Sequence, residues 1–334
     1  MTPRRMVLVT GGAGFIGSNI VARLCQRDDL DVVVCDRLRS ADAGKWRNIA
    51  KHPIADFVAP EALFDWLDRW RKEVGAVVHM GAISSTTEPD ADKIVHANFT
   101  LSRDLWRWCA DRQRRLIYAS SAATYGDGAL GFADLDDPAD LARLKPLNAY
   151  GWSKWLFDLY AMRERTRRTG PPQVAGLKFF NVYGPNEGHK GAMQSVAAQI
   201  WPKVRDGQSV TLFKSHRPDY PDGGQLRDFV YVRDAAEVVS WLIDNPQISG
   251  VFNLGSGQAR SFADLAAAVF QAAGRDPDLR YRDMPDDLRE KYQYYTQADL
   301  GRLRQAGYAS PFTTLEDGIA DYVGSYLSQA DPYR

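Results

Sequence analysis

One short segment near the start of the chain, "MVLVTGGAGFIG" (residues 6–17), limits the available folds more than any other feature. A β-branched run ends in Gly11, Gly14 and Gly17, and apolar residues at helical spacing follow. Between a strand and a helix, glycines let a pyrophosphate approach the backbone, where free N–H groups and the positive end of the helix dipole hold it. The segment therefore predicts a dinucleotide-binding turn.

Four short apolar runs, separated by helical patterns, predict the main domain. The runs are residues 6–10, 31–36, 75–82 and 115–121, and helical patterns occupy 60–73 and 100–113. Continuous apolar runs of this length are typical of strands buried on both faces of a parallel sheet. Their alternation with helices predicts an α/β fold, a Rossmann-type doubly wound parallel sheet.

After about residue 180 the alternation becomes less regular. The stretch 215–225 is rich in Pro, Gly and Asp and predicts a loop, while 227–245 predicts a strand and then a helix. With 334 residues the chain is long enough for two domains. We expect a dinucleotide-binding domain of residues 1–180 plus about 228–250, and a smaller C-terminal α/β substrate domain of about 181–227 and 251–334.

Charge and cysteine content narrow the class of protein. The 42 basic and 42 acidic side chains cancel, which argues against nucleic-acid binding through general positive potential. The three cysteines lack a CxxC spacing, and no apolar run approaches the roughly 18 residues of a membrane span. His52 and His96 lack metal-ligand spacing. We expect a cytoplasmic protein with no nucleic-acid, membrane or metal partner.

Asp36 ends the second predicted strand about 20 residues after the glycines, where a carboxylate can accept a hydrogen bond from an adenosine ribose. Its charge favours NAD, because it would repel a ribose 2'-phosphate. Arg37, Arg39 and Lys45 follow and could neutralise such a phosphate. We expect NADP, and NAD stays open as the alternative.

Tyr150 and Lys154 lie four residues apart at the start of a predicted helix, so their side chains share one face. A lysine ammonium beside a phenol, with an oxidised nicotinamide nearby, lowers the phenol pKa from about 10 toward the working pH. Such a tyrosine can take a hydroxyl proton while hydride leaves the same carbon. Ser121 ends a predicted strand, where its hydroxyl could hold the substrate oxygen.

These motifs, in this order, resemble the extended short-chain dehydrogenase/reductase family, and in particular its NAD-dependent epimerases and dehydratases. Further blocks carry the resemblance from residue 10 to about residue 300: "SSTTE", "PLNAYGWSK", "FFNVYGPNEGHKG", "RDFVYV", "FNLGSG" and "YTQADL". The glycine pattern and "YASSAATYG" are family-wide. "SSTTE" and "EGHKG" are more specific, and they are similar to members that act on an ADP-linked heptose for the lipopolysaccharide inner core.

The resemblance implies epimerisation at C6'' of the sugar through a 6''-ketone, with the cofactor regenerated in each cycle. It assigns the two proton transfers to Tyr150 and to Lys190, which lies in "EGHKG". A lysine can act in this way only if its pKa is lowered by burial or by a neighbouring cation. The alternative is that Lys190 remains a cation that anchors the substrate diphosphate.

The resemblance also implies which residues line the site. Besides the catalytic set Ser121, Tyr150, Lys154 and Lys190, the expected cofactor contacts are Gly11, Gly14, Phe15, Ile16, Gly17, Asp36, Arg37, Lys45, Met80, Gly81, Ala82, Ser84, Asn98 and Val182. The expected substrate contacts are Ser121, Asn181, Lys190, Ala192, Phe213, Lys214, Ser215, His216, Arg227 and Tyr292. A homo-oligomer is implied, with a pentamer as the expected state.

Other functions share part of this pattern. A UDP-hexose 4-epimerase would use the same first half of the chain but has no use for Lys190. A 4,6-dehydratase would need an Asp-Glu pair soon after Ser121, where this chain has Ala122 and Ala123. A non-catalytic NAD(P)-sensing module would not need Tyr150 and Lys154. For Arg227 the alternative is a structural pair with Asp228.

Overall fold

A computed structural model of the protein describes residues 5–39, 44–86, 88–289 and 292–334. Within these residues the strands are β1 (Arg5–Thr10), β2 (Leu30–Cys35), β3 (Asp56–Val58), β4 (Val74–His79), β5 (Arg115–Ser121), β6 (Val174–Phe179), β7 (Asn181–Tyr183), β8 (Val210–Phe213), β9 (Leu226–Tyr231), β10 (Gly250–Leu254), β11 (Ala259–Ser261) and β12 (Leu279–Arg282).

Seven of the described strands form one parallel sheet in the order β3-β2-β1-β4-β5-β6-β10. The sequential path reverses between β1 and β4, which opens a crevice at the carboxyl ends of these two strands. Val7, Leu8 and Val9 in β1 are fully buried, because both faces of the sheet are covered. The predicted Rossmann-type sheet is therefore confirmed.

Helices cover both faces of this sheet. Those of the described residues are α1 (Phe15–Leu24), α2 (Leu63–Arg69), α3 (Ala91–Ile94), α4 (Leu101–Asp111), α5 (Pro138–Leu141), α6 (Ala149–Thr166), α7 (Val196–Arg205), α8 (Val232–Asp244), α9 (Phe262–Ala272), α10 (Asp286–Arg289), α11 (Gly301–Gln305) and α12 (Leu315–Tyr322). Buried side chains of α1 and α8 share one core with the sheet, while those of α2, α4 and α6 share the other. In the described part of the chain, none of these helices is long and apolar enough to cross a membrane.

The later part of the chain builds a smaller α/β unit. Strand β9 pairs in parallel with β7 and antiparallel with β11, and β8 pairs in parallel with β12. Helices α7, α9 and α12 contribute to a third core against these strands. The strand pairing departs from the expected boundaries, because β9 (226–231) joins the small sheet and β10 (250–254) is the edge strand of the large one.

Gly176 of β6 provides a test of the packing in the large sheet. A Cβ built there would lie 2.4 Å from Cζ and Oη of Tyr118, which is buried and hydrogen-bonded to Asp158. We expect Gly176→Ala to lower the free energy of unfolding by about 1–3 kcal/mol in urea denaturation, because the ring has no room to move. Gly75→Ala in β4 is the matched control, since its Cβ would meet no atom closer than 3.6 Å. Equal losses in the two variants would contradict this account.

Candidate active site

A cleft of about 250 Å³ lies at the crevice between β1 and β4. Most of the predicted cofactor and catalytic residues line it: Gly11, Gly14, Phe15, Ile16, Gly17, Asp36, Lys45, Met80, Gly81, Ala82, Ser84, Tyr150, Lys154 and Lys190. Four lining residues were missed by the sequence analysis, namely Ala119, Ser120, Phe179 and His189. Strand periodicity could have pointed to Ala119 and Ser120, which lie near the end of β5, but it cannot show which strand end faces a ligand.

The glycine turn fits a pyrophosphate because its backbone is packed too tightly for side chains. A Cβ on Gly17 would lie 2.1 Å from the Gly11 carbonyl oxygen. One on Gly11, whose φ is +65°, would lie 2.6 Å from the Gly81 nitrogen. Gly14 precedes α1 as its N-cap, and no side chain of the described residues caps that helix end. The turn therefore leaves backbone and helix dipole open to an anion.

Asp36, which follows β2, accepts hydrogen bonds from three neighbouring groups, one of which is the Arg37 amide. Its carboxylate accepts a hydrogen bond from the Ala13 amide at 2.9 Å and one from Lys45 Nζ at 2.7 Å. Both side chains of the ion pair are largely buried. Arg37 is exposed and pairs with Glu61, outside the cleft. Lys45, rather than Arg37, is thus the cation that neutralises Asp36.

The predicted catalytic group assembles where β5 and α6 meet. Asn148 caps α6 by accepting from the Gly151 amide at 2.8 Å, which places Tyr150 in the first turn of the helix. Tyr150 is hydrogen-bonded to Ser121, and Lys154 Nζ donates to the Ala119 carbonyl at 2.8 Å. Tyr150 and Lys154 therefore line the cleft, and Ser121 lies beside Tyr150 at the end of β5.

Burial is the main influence on the pKa of Tyr150. Burial raises it, and the hydrogen bond with Ser121 only partly opposes this effect, so the net direction is upward. The Lys154 ammonium is directed to the Ala119 carbonyl. Burial also lowers the pKa of Lys154 to about 8. A bound nicotinamide cation would supply positive charge that favours the phenolate.

A buried polar network supports this end of the cleft from below. Asp158 accepts hydrogen bonds from Tyr118 and Ser120 and lies 3.4 Å from Lys178 Nζ. Lys178 in turn donates to Thr124 Oγ1 at 2.7 Å. Asp158, Lys178 and Thr124 are fully buried. The network ties β5, α6 and the turn after Ser121 together, so the catalytic side chains rest on a rigid base.

Lys190 lines the same cleft and comes from another part of the chain. It lies in a 3-10 segment, Gly188–Met193, and its Nζ is 4.9 Å from the centroid of the Phe15 ring. Burial lowers the pKa of Lys190, while the nearby Glu187 opposes this shift. Glu187 is buried and accepts hydrogen bonds from the Ser195 amide and hydroxyl and from Tyr322. The segment that carries Lys190 is therefore anchored on the smaller unit.

A second cavity of about 290 Å³ contains two of the predicted substrate residues, Phe213 and Tyr292. The Arg227 guanidinium lies 5.2 Å from the Tyr292 ring centroid and 5.7 Å from that of Phe262. Arg227 is not paired with Asp228, whose carboxylate accepts from the amides of Ser256, Gly257 and Ala298. The alternative interpretation of Arg227 as the partner of Asp228 is therefore wrong.

Other predicted residues lie outside the linings of these two cavities: Arg37, Asn98, Ser121, Asn181, Val182, Ala192, Lys214, Ser215, His216 and Arg227. Asn98 is buried and hydrogen-bonds both backbone groups of Ile83, so it supports the loop after β4. His216 accepts from the Met284 amide, and the Ser215 amide donates to Asp222. Gln225, Phe262 and Arg282 line the second cavity and were not predicted.

The lowered pKa of Lys154 makes its effect on stability depend on pH. The pKa of Lys154 is about 8 in the folded protein, below its usual value of 10.5. Between about pH 8 and pH 10.5 the unfolded chain therefore binds more protons at this group than the folded protein does. The contribution of Lys154 to the free energy of unfolding thus rises with pH in this range. The difference in unfolding free energy between wild type and Lys154→Met should therefore rise by about 2–3 kcal/mol from pH 7 to pH 10 in nucleotide-free protein. Lys51→Met, at an exposed lysine, is the control. A flat difference for Lys154 would refute the assignment.

Comparison with known proteins places the chain among sugar-nucleotide enzymes. Residues 7–255 match the NAD dependent epimerase/dehydratase family. The ADP-L-glycero-D-manno-heptose-6-epimerase of Nitratidesulfovibrio vulgaris (strain Hildenborough) is 50% identical over 332 residues, which cover 98% of this chain and 100% of the relative.

Two solved structures share the fold and a measurable part of the sequence. The ADP-L-glycero-D-manno-heptose-6-epimerase of Helicobacter pylori is 29% identical with a TM-score of 0.75, covering 96% of each chain. The UDP-glucose 4-epimerase of Thermus thermophilus, solved in complex with NAD, is 26% identical with a TM-score of 0.72, covering 96% of this chain and 98% of that one. Together with the fit of the glycine turn, the family match indicates a nicotinamide cofactor. The chain belongs to the NAD dependent epimerase/dehydratase family.

Proposed function

We propose that the protein is an isomerase that interconverts the C6'' epimers of ADP-D-glycero-D-manno-heptose and ADP-L-glycero-D-manno-heptose, in the synthesis of lipopolysaccharide core. The observation that carries the proposal is that Tyr150 and Lys190 line the same cleft, approaching it from α6 and from the 188–193 segment. An epimerase needs a proton-transferring group on each face of the reacting carbon. The full-length similarity to enzymes of this name supports the choice of sugar.

The reaction divides into oxidation and reduction at one carbon. Tyr150, hydrogen-bonded to Ser121, takes the C6'' hydroxyl proton of one epimer, and Ser121 holds the same oxygen. A bound nicotinamide would supply the acceptor and donor of hydride for C6''. Once the resulting ketone presents its other face, Lys190 supplies the proton to the oxygen, which gives the opposite epimer. The reverse direction exchanges the two roles, and no net redox change occurs.

The environment of Lys190 supports a role in proton transfer. Burial lowers its pKa toward the range in which a lysine can both give and take a proton. Its Nζ lies over the Phe15 ring, at the edge of the glycine turn. A lysine that serves as a permanent cation for a diphosphate is better placed in a site that raises its pKa. At Lys190 the net shift is downward, because the upward influence of Glu187 is smaller than the effect of burial.

We propose that the second cavity binds the rest of the nucleotide sugar. The Arg227 guanidinium is held between Tyr292 and Phe262, and such a planar cation suits bidentate contact with a diphosphate. Phe213 and Tyr292 offer aromatic surface in the same cavity. The homo-oligomeric state, with a pentamer expected, and the cytoplasmic location stay predictions from the sequence.

For the cofactor we propose NADP over NAD. Lys45 neutralises Asp36 in a largely buried ion pair, so the carboxylate no longer repels a ribose 2'-phosphate. Arg37 and Arg39 are exposed on the segment that follows. The pair of Arg37 with Glu61 is solvent-exposed and thus weak, so Arg37 is available to a phosphate.

The reaction itself can be tested by a proton NMR time course. Purified protein is mixed with ADP-D-glycero-β-D-manno-heptose without added cofactor, and we expect a mixture of the two C6'' epimers, because the nicotinamide is recycled and stays bound. In the same assay Tyr150→Phe and Lys190→Met should lose at least about 100-fold in turnover, each by a different factor for the two epimers.

Two results would count against this proposal. No conversion by the wild type, even after NAD and NADP are both supplied, would exclude the heptose substrate and direct attention to UDP- and GDP-sugars. A Lys190→Met variant with a raised KM and unchanged kcat for both epimers would make Lys190 a binding residue.

The cofactor preference is tested by Lys45→Met. Without the ammonium, the Asp36 carboxylate is left uncompensated, so we expect NADPH affinity to fall by at least about tenfold while NADH affinity is unchanged or higher. Fluorescence titration of the nucleotide-free protein measures both. Lys51→Met is the control, since Lys51 pairs with Asp331 away from the cleft. An equal loss for both nucleotides would contradict the role given to Lys45.

A further inference from the structure

Three buried asparagines join the glycine turn to the segment that carries Lys190. Asn19 lies in α1, Asn48 ends the 3-10 segment Lys45–Asn48, and Asn186 lies in the loop after β7. Their exposed fractions are 0%, 1% and 4%, so each side-chain amide requires partners inside the protein. We refer to these three residues as the asparagine bridge.

Asn48 makes the central contacts of the asparagine bridge. Its Nδ2 donates to the Ala13 carbonyl at 2.9 Å, inside the glycine turn. The same nitrogen lies 3.2 Å from the Asn186 carbonyl oxygen and 3.2 Å from His189 Nδ1. One amide thus contacts both the turn that receives the pyrophosphate and the residue adjacent to Lys190.

Asn186 adopts a φ of +73°, in the left-handed region that asparagine tolerates better than most residues. Its Nδ2 donates to Ser18 Oγ at 3.0 Å and to the Asn48 carbonyl at 3.3 Å. Its Oδ1 accepts from the Arg334 amide at 2.9 Å. The loop is therefore held by hydrogen bonds to α1 and to the C-terminal segment.

Asn19 completes the connection from within α1. Its Nδ2 donates to the Phe15 carbonyl at 3.0 Å and to the Pro185 carbonyl at 2.9 Å. Its Oδ1 accepts from Arg334 Nη1 at 3.1 Å. The first turn of α1, whose amides face the cofactor site, is thus directly bonded to the residue before Asn186.

We propose that the asparagine bridge is a positioning device that couples nucleotide binding at the glycine turn to the placement of Lys190. Lys45, which pairs with Asp36 in the cleft, lies on the same 3-10 segment as Asn48, and Lys190 lies directly after His189. Nucleotide that orders the turn and Lys45 therefore orders the segment 184–193 through Asn48. The inference rests on the proposed function for the role of Lys190, whereas the coupling itself concerns only nucleotide and protein.

The coupling is tested by hydrogen exchange on the segment 184–193. In the wild type, saturating NADPH should slow amide exchange there by about tenfold or more, because cofactor and loop are ordered together. In Asn48→Ala, at NADPH concentrations shown by fluorescence to be saturating, the protection should shrink to about twofold or less. Wild-type protection in the variant, or none in the wild type, would overturn the proposal.

A second variant covers the case in which Asn48→Ala does not fold. Asn186→Gly keeps the positive φ while removing the side-chain donors to Ser18 and Asn48, and we expect the same loss of protection. Asn245→Ala is the matched control. This half-buried asparagine donates to the Trp241 carbonyl, is distant in the sequence from the residues that line the cleft, and lines neither cavity. Loss of protection in Asn245→Ala as well would reduce the effect to general destabilisation and overturn the proposal.

A double-mutant comparison separates positioning from catalysis. Asn48→Ala should lower kcat by about tenfold or more with little change in KM, but should lower it by no more than about twofold in a Lys190→Met background. Additive losses would show that Asn48 does not act through Lys190.

If the wild type fails to epimerise the heptose nucleotide, the proposed function fails, while the exchange experiment still decides whether nucleotide orders the segment 184–193.

Discussion

The close approach of three backbone segments at the glycine turn is the constraint on which the site depends. Gly17 packs against the Gly11 carbonyl, and Gly11 packs against the backbone of Met80 and Gly81 after β4. These contacts leave no space for a Cβ, and they set the angle at which α1 leaves the sheet. This packing fixes where α1 begins, next to the crevice between β1 and β4. It also fixes the position of the Phe15 ring, over which Lys190 lies.

The two sides of the cleft are supported in different ways. Under Tyr150 and Lys154, a buried set of charged and hydroxyl groups centred on Asp158 and Lys178 ties strand to helix. Under Lys190, neutral amides carry the connection, together with the buried carboxylate of Glu187. Burial lowers the pKa of Lys154, and the nearby charge of Asp158 opposes this shift, while amides hold geometry with little electrostatic effect. One support is therefore charged and the other largely neutral, and burial lowers the pKa of a lysine at each of them.

Much of the fold and of the predicted cofactor site could be predicted, because both depend on local sequence patterns. Continuous apolar runs identified β1, β2, β4 and β5, and the glycine spacing located the turn. The assignments that the structure changed concern contacts between distant segments. Strand β9 pairs within the small sheet and β10 within the large one, which differs from the division expected from the sequence. The Asp228 carboxylate accepts hydrogen bonds from the amides of Ser256 and Ala298 and is not paired with Arg227. The burial that raises the Tyr150 pKa was also not predicted, since sequence spacing does not measure burial.

The sequence by itself determined the class of fold, the place of the dinucleotide turn and the identity of Ser121, Tyr150, Lys154 and Lys190 as candidates for catalysis. All of these except Lys190 follow from residue type and spacing within single strands, turns and helices, where neighbours in the chain are neighbours in space. Lys190 was assigned through the resemblance of "EGHKG" to a known family. Only the tertiary structure decided that Lys45 neutralises Asp36, that Arg227 stacks on Tyr292, and that Asn48 bonds both Ala13 and His189. Such contacts join residues far apart in the chain, and the packing of whole elements selects them among many partners of similar chemistry.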